Sequence, residues 1–166
     1  MYIFGTDLDD VIADLESLVK HEHIKELEKT ELTRQLLAVL LPPIYERLPV
    51  VPGAKENLLR IKEIPAKIVI VTARFDADER ITREWLEREM IPYDEIHFVG
   101  RFKDKSITYY DWFVDDIPEN LLTLQAKRKF LFNRPWNKNS EIGTRVYSWD
   151  EIYIYIKEDL QTWNAR

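Results

Sequence analysis

No cysteine occurs in the 166 residues, which excludes disulfides, thiolate metal centres and cysteine nucleophiles. Glycine is scarce, four in all, and none falls between residues 13 and 41, so that interval lacks the usual helix terminators. No apolar run is long enough to cross a bilayer. The longest, Leu36 to Ile44, is short and contains Pro42-Pro43. The amino terminus opens on an apolar strand and acids, with no basic region and apolar leader, so the expectation is a cytoplasmic chain with no membrane partner. Positive charge is not in excess: 24 basic against 30 acidic residues give a net charge of −6. That balance argues against a nucleic-acid polymer as partner. What is present, 45% hydrophobic and 33% charged residues, fits one globular domain with room for a small insertion.

The most informative stretch is Tyr2-Ile3-Phe4-Gly5-Thr6-Asp7-Leu8-Asp9-Asp10-Val11. A short apolar run reads as a buried parallel strand, and three carboxylates stand where it emerges. Like charges packed so closely repel, and burial raises the cost unless a cation or shared protons offset it. A divalent metal at the carboxyl end of a strand is the economical explanation, because open α/β sheets bind their ligands there.

Apolar residues at helical spacing follow: Leu15, Leu18 and Val19, then Ile24 and Leu27, then Leu32, Leu36, Leu37 and Leu40. They predict two or more helices over about 13–41, ended by Pro42-Pro43. Pro49-Val50-Val51-Pro52-Gly53 is a rigid return into a helix from Ala54 to Glu63. Strands are expected at Lys67–Thr72, Glu95–Val99, Trp112–Val114, Lys129–Phe132 and Thr144–Tyr147. Helices are expected at 77–90, with Ile81, Trp85, Leu86 and Met90 on one face, at Pro118–Gln125, and at Asp150–Trp163. Strands alternating with helices mean a doubly wound parallel α/β sheet. The segment 13–48 is then a small helical cap inserted after the first strand, and 1–12 with 49–166 form the core.

Further polar residues stand just past strands: Thr72-Ala73-Arg74, Lys105, and Asp115-Asp116. The topology places them with Asp7 and Asp9 on one sheet edge. A carboxylate nucleophile, a metal, a hydroxyl and an ammonium together suit a phosphate group. Lys103 reads as a solvated lysine; spacing alone singles out Lys105. Arg74 is open between a phosphate or cap contact and a loop salt bridge. His21 and His23, two apart on a helix, read as solvated, and Trp136 as a loop anchor, with a place bordering the active site as the alternative.

The order Asp7-x-Asp9-x-Val11, apolar-Thr72, Lys105, apolar-Asp115-Asp116 resembles the four motifs of haloacid-dehalogenase-like phosphatases. Phe113-Val114-Asp115-Asp116-Ile117-Pro118-Glu119-Asn120 is similar to the fourth-motif segment of 5′(3′)-deoxyribonucleotidases. Asn133-Arg134-Pro135-Trp136-Asn137 is similar to a late segment of their bacterial and phage relatives. The resemblance implies a phosphomonoesterase acting on a small phosphorylated substrate, a nucleoside monophosphate. It implies Asp7 as nucleophile. It implies Asp9 as general acid and then base, its proton favoured by the nearness of Asp7. It further implies Mg²⁺ held by the Asp7 carboxylate, the Asp9 carbonyl and Asp116, with Asp115 orienting ligands, and a phosphoryl grip from Thr72, Ala73 and Lys105.

Two departures stand out. Asp10 occupies a position usually held by glycine, adding charge beside the metal. The cap has Tyr45 as its one aromatic residue, where mammalian deoxyribonucleotidases clamp a pyrimidine between several. Arg74, Asp10 and Tyr45 are therefore candidate substrate contacts, and a small sugar phosphate is the alternative substrate. A phospho-accepting receiver domain uses similar residue types, but its acids, Thr and Lys come in another order. The run Leu36–Leu41 is a candidate homodimer surface.

Overall fold

The computed structural model describes residues 1–100 and 104–164, with the Asn164 side chain left aside; Lys103 lies outside the described residues. Six parallel strands form one sheet: β1 (Tyr2–Thr6), β2 (Ala66–Thr72), β3 (Glu95–Phe98), β4 (Tyr110–Asp115), β5 (Ala126–Phe132) and β6 (Thr144–Val146). Their order, β3-β2-β1-β4-β5-β6, makes this a doubly wound α/β sheet. The chain winds outward one way from β1 to β3 and the other way from β4 to β6. The β1/β4 boundary is thus the switch point, where loops leaving the strand ends diverge and open a crevice.

Each strand is where its apolar run lies. Lys67-Ile68-Val69-Ile70-Val71 is buried on both faces at all but Lys67, as a central parallel strand requires. Gly5 is required by packing: a Cβ there would collide with the rings of Phe113 and Tyr110. Its absence lets β1 lie close to β4, pairing Gly5 with Phe113 and Thr6 with Val114. The bond from Asp7 N–H to the Val114 carbonyl, 2.9 Å, carries that pairing to the point where both strands end in acids.

The inserted segment contains α1 (His21–Leu27), α2 (Glu31–Leu40) and α3 (Pro42–Tyr45). Residues 14–20 form turns, not the helix their apolar spacing predicts. Asp14 and Ser17 bond locally there, the Ser17 hydroxyl to the Asp14 carbonyl, a competition that draws short polar residues out of helices. Pro42-Pro43 does end α2, but it also opens α3, since proline fits a first helical turn. Leu37 and Leu41 are buried, while Leu32, Leu36, Val39 and Leu40 form an exposed stripe on α2.

The segment has no core of its own. Ile24, Leu37, Leu41, Tyr45 and Leu48 belong to the same buried cluster as Phe4, Leu58 and Trp85. The Trp85 indole, fully buried as expected of a packing residue, donates to the Leu48 carbonyl at 2.9 Å. Helices α4 (Ala54–Lys62), α5 (Glu79–Arg88), α6 (Pro118–Thr123) and α7 (Trp149–Asn164) complete the layers. Met90, expected on the apolar face of α5, is exposed. The chain has left the helix by then, and Met90 takes a left-handed φ of 55° that turns it outward.

Candidate active site

Asp7 follows β1 directly, Asp115 ends β4 and Asp116 follows it. One carboxylate oxygen from each lies within 4.8 Å of the others. All three are buried, Asp115 completely. Lys105 enters this cluster from the loop before β4. Its Nζ stands 2.8 Å from Asp7 Oδ1 and 2.9 Å from Asp115 Oδ2. Its aliphatic stem is buried too, so a lysine chosen on spacing alone proves to be an interior one.

The carboxylates are not equally free. Asp115 accepts from Lys105, from the Ile117 N–H at 2.9 Å, and on both oxygens from Asn120 Nδ2 at 3.1 Å. Asp7 Oδ1 accepts the Leu8 N–H at 2.7 Å as well as Lys105, which fixes the carboxylate plane. Among the described residues no ammonium or guanidinium pairs with Asp116, whose Oδ2 accepts only the neutral Trp136 indole N–H at 3.0 Å. Three carboxylates therefore face one ammonium. Burial pushes the Asp7 carboxyl up to about 7, against the lowering pull of Lys105. Burial, then Asp115, Asp7 and Asp10, raise Asp116 well above the carboxylate range. Burial would lower the Lys105 ammonium, but Asp115 and Asp7 outweigh it and raise it instead. Lys105 keeps its charge, but it is one cation among three carboxyl groups; the cluster holds protons that a divalent cation beside Asp7 and Asp116 would displace, and the donor set fits such an ion.

The neighbouring side of the site is charge-balanced. Arg74, 2% exposed, donates from Nε to Asp9 Oδ2 at 3.0 Å and from Nη2 to Asp9 Oδ1 at 2.6 Å. Its Nη1 donates to the Thr82 hydroxyl at 3.0 Å. Its guanidinium lies 3.7 Å from the ring centroid of Tyr45 in α3. Of the two open readings for Arg74, salt bridge and cap contact, both hold together, and the salt-bridge partner is Asp9. The paired fork fixes the direction of the Asp9 carboxylate.

Asp10 explains its own departure from glycine. It sits at φ 59°, a left-handed conformation that aspartate tolerates better than most residues. Its Oδ1 accepts the Glu16 N–H at 2.7 Å, its backbone N–H donates to the Ala13 carbonyl at 2.6 Å, and burial pushes its carboxyl up to about 7. These hydrogen bonds hold the turn into the inserted segment.

Asp7, Asp9, Asp10, Ala73, Arg74, Lys105 and Asp116 line a cavity of about 700 Å³, roofed by Leu15, His21, Ile24 and Tyr45 of the inserted segment. Thr72 is fully buried at the end of β2 and does not line it; its hydroxyl accepts the Arg74 N–H at 3.2 Å. His23 is exposed, as expected of a solvated histidine. His21 is only partly solvated. It stacks on Trp136 with ring centroids 4.1 Å apart and planes 10° apart. Trp136 in turn reaches Asp116, so it borders the acid cluster as well as anchoring its loop. Neither contact has a signature in residue spacing, because the partners come from separate loops.

A family model described as 5′ nucleotidase, deoxy (pyrimidine), cytosolic type C protein (NT5C) matches residues 22–161. A candidate nucleotidase of Oceanobacillus iheyensis is 27% identical over 183 residues, covering 92% of this chain and 97% of that protein. One from Bacillus subtilis is 32% identical over 125 residues, covering 70% and 64%. Among solved structures, a candidate β-phosphoglucomutase from Thermotoga maritima superposes with a TM-score of 0.67 at 14% identity, covering 95% of this chain and 99% of that one. A D,D-heptose 1,7-bisphosphate phosphatase from B. bronchiseptica, complexed with magnesium and phosphate, gives 0.63 at 11%, covering 96% and 99%. These last two share the fold. With the family model spanning most of its length, the chain belongs to the NT5C family of haloacid-dehalogenase-like 5′-nucleotidases and is a phosphatase.

Proposed function

We propose that the chain is a Mg²⁺-dependent phosphomonoesterase of the 5′(3′)-deoxyribonucleotidase type, hydrolysing nucleoside monophosphates through phosphoryl transfer to Asp7. The observation that carries this reading is the meeting of Asp7, Asp116 and Lys105 at the β1/β4 switch point, on the floor of a cavity that can hold a small monoester. Asp7, held in plane by Leu8 and Lys105, attacks phosphorus, and the P–O bond to the leaving group breaks. Asp9, directed by Arg74, gives that oxygen its proton and later takes one from the water that cleaves the acyl phosphate. Lys105 and the backbone around Thr72 and Ala73 bind the phosphoryl oxygens. Asp7, Asp116 and the Asp9 carbonyl would hold Mg²⁺, while Asp115, already saturated by four contacts from three donors, orients Lys105. When bound, the ion neutralises charge on the phosphoryl group.

A small sugar phosphate as substrate is favoured by one observation: Tyr45, the cap's aromatic residue, is 3% exposed and its ring is taken by Arg74. The test is a panel of nucleoside 5′- and 3′-monophosphates against sugar phosphates, with and without Mg²⁺, scored by released phosphate. Sustained, Mg²⁺-dependent turnover fastest on deoxynucleoside monophosphates is expected. A single stoichiometric phosphorylation without turnover would instead support a receiver domain. The same reading carries action in the cytoplasm and self-association through the α2 stripe, which sedimentation at several concentrations checks. No helix among the described residues is long and apolar enough to cross a membrane.

A further inference from the structure

The segment Arg134-Pro135-Trp136-Asn137 belongs to none of the groups that act on phosphate, yet its polar side chains all bear on the loops that carry the acids. Arg134 Nε donates to the Asp10 carbonyl at 2.8 Å. Asn137 Nδ2 donates to the Asp116 carbonyl at 2.7 Å and to that of Phe132 at 2.8 Å. Arg145 holds Asn137 in turn, at 2.9 Å to both its side-chain and backbone oxygens. The loop is therefore held by several side-chain hydrogen bonds before Trp136 is considered. From it, Trp136 Nε1 donates to Asp116 Oδ2 at 3.0 Å, and one face of its rings carries His21 at 4.1 Å.

We propose that Trp136 is a positioning residue for the metal-binding carboxylate of Asp116, and that His21, stacked on it from the inserted segment, makes that carboxylate's orientation depend on the cap being seated. The proposal rests on the metal reading above. Its physical content lies in the kind of donor. An arginine or lysine at this place would orient Asp116 but also neutralise it, competing with a divalent cation. An indole N–H fixes one oxygen, leaves the negative charge intact, and leaves Oδ1 for the ion. The surrounding excess of carboxylate makes such a choice consequential, because a second local cation would remove the charge imbalance that a metal otherwise satisfies. His21 acts one step further out. Packed flat on the indole, it restricts ring rotation about the loop and ties the first residue of α1 to the acid cluster through two contacts.

The test is isothermal titration of the whole chain with Mg²⁺, repeated with Mn²⁺. Trp136→Phe keeps an aromatic ring for His21 and loses the N–H together with part of the indole; it should bind metal about tenfold more weakly, with an unchanged circular-dichroism spectrum. Its kcat should recover at saturating Mg²⁺, which a loss of structure would not allow. His21→Ala, made in the cap and independent of the loop's folding, should weaken metal binding by less than Trp136→Phe. Wild-type affinity in Trp136→Phe overturns the positioning role, and wild-type affinity in His21→Ala overturns the link to the cap. Failure of the wild-type chain to bind either metal overturns the metal reading itself, and this inference with it.

Discussion

The two halves of the site solve the same electrostatic problem differently. On one side Arg74 meets Asp9 with two hydrogen bonds and spends its third nitrogen on Thr82, so charge and donors are matched within the chain. On the other, Asp7 and Asp115 share one ammonium, and among the described residues Asp116 receives on its side chain only a neutral N–H. The matched half is a fixed tool. On the proposed function, the unmatched half is completed from outside, by a cation and then a phosphate. A protein that needed only stability would have matched both, since unpaired buried charge costs several kcal/mol.

The comparison is broken most severely at the unmatched half. Asp7→Asn should abolish detectable turnover while leaving the fold intact, since one side-chain oxygen is replaced; comparable activity in both proteins would remove Asp7 as nucleophile. Next comes Asp9→Asn, expected to cost on the order of 10²–10⁴ with poor leaving groups and far less with p-nitrophenyl phosphate. Equal losses on the two substrates would mean that Asp9 is not the acid.

A third measurement reads the imbalance through stability. A carboxyl whose folded value lies above its free value binds its proton more tightly when folded. Asp7 and Asp10, both moved from 3.8 to about 7 by burial, therefore stabilise the metal-free fold fully below about 3.8. That contribution fades as pH rises towards 7. Melting temperatures in chelator should fall across this window, and Mg²⁺ should restore them at neutral pH but not at pH 4. A flat profile in chelator would show that the buried acids are compensated after all. The smallest effect concerns the matched half. Tyr45→Leu removes the ring over Arg74 and should cost about 0.5–2 kcal/mol in chemical denaturation while leaving Mg²⁺ affinity unchanged. A shift in that affinity would mean that the halves are coupled through the cap.

The sequence carries the frame of this molecule in its local patterns. Lys67–Thr72 and Trp112–Val114 read as buried strands because parallel strands covered on both faces must be apolar throughout. The acids and Lys105 could be grouped because every one of them follows such a run. Partner choice was hidden. Arg74 is 65 positions from Asp9, and Trp136 lies 20 from Asp116 across a helix and a strand, so no periodicity connects them. Leu32, Leu36 and Leu40 show the converse failure: their spacing is helical, but the stripe faces outward, and spacing cannot tell a covered face from a bare one. Asp10 was legible as unusual. Its left-handed backbone, which gives the reason, was not.

One consequence concerns redesign. Because Ile24, Leu37, Leu41 and Tyr45 pack into the common interior, the segment over the cavity is not an exchangeable module. A chimera carrying a foreign segment would strip neighbours from Leu58 and Trp85 and take the Tyr45 ring from over Arg74. New substrate preferences would have to be reached by altering individual roof side chains, such as Leu15 or Ile24, with the backbone beneath them kept as it is.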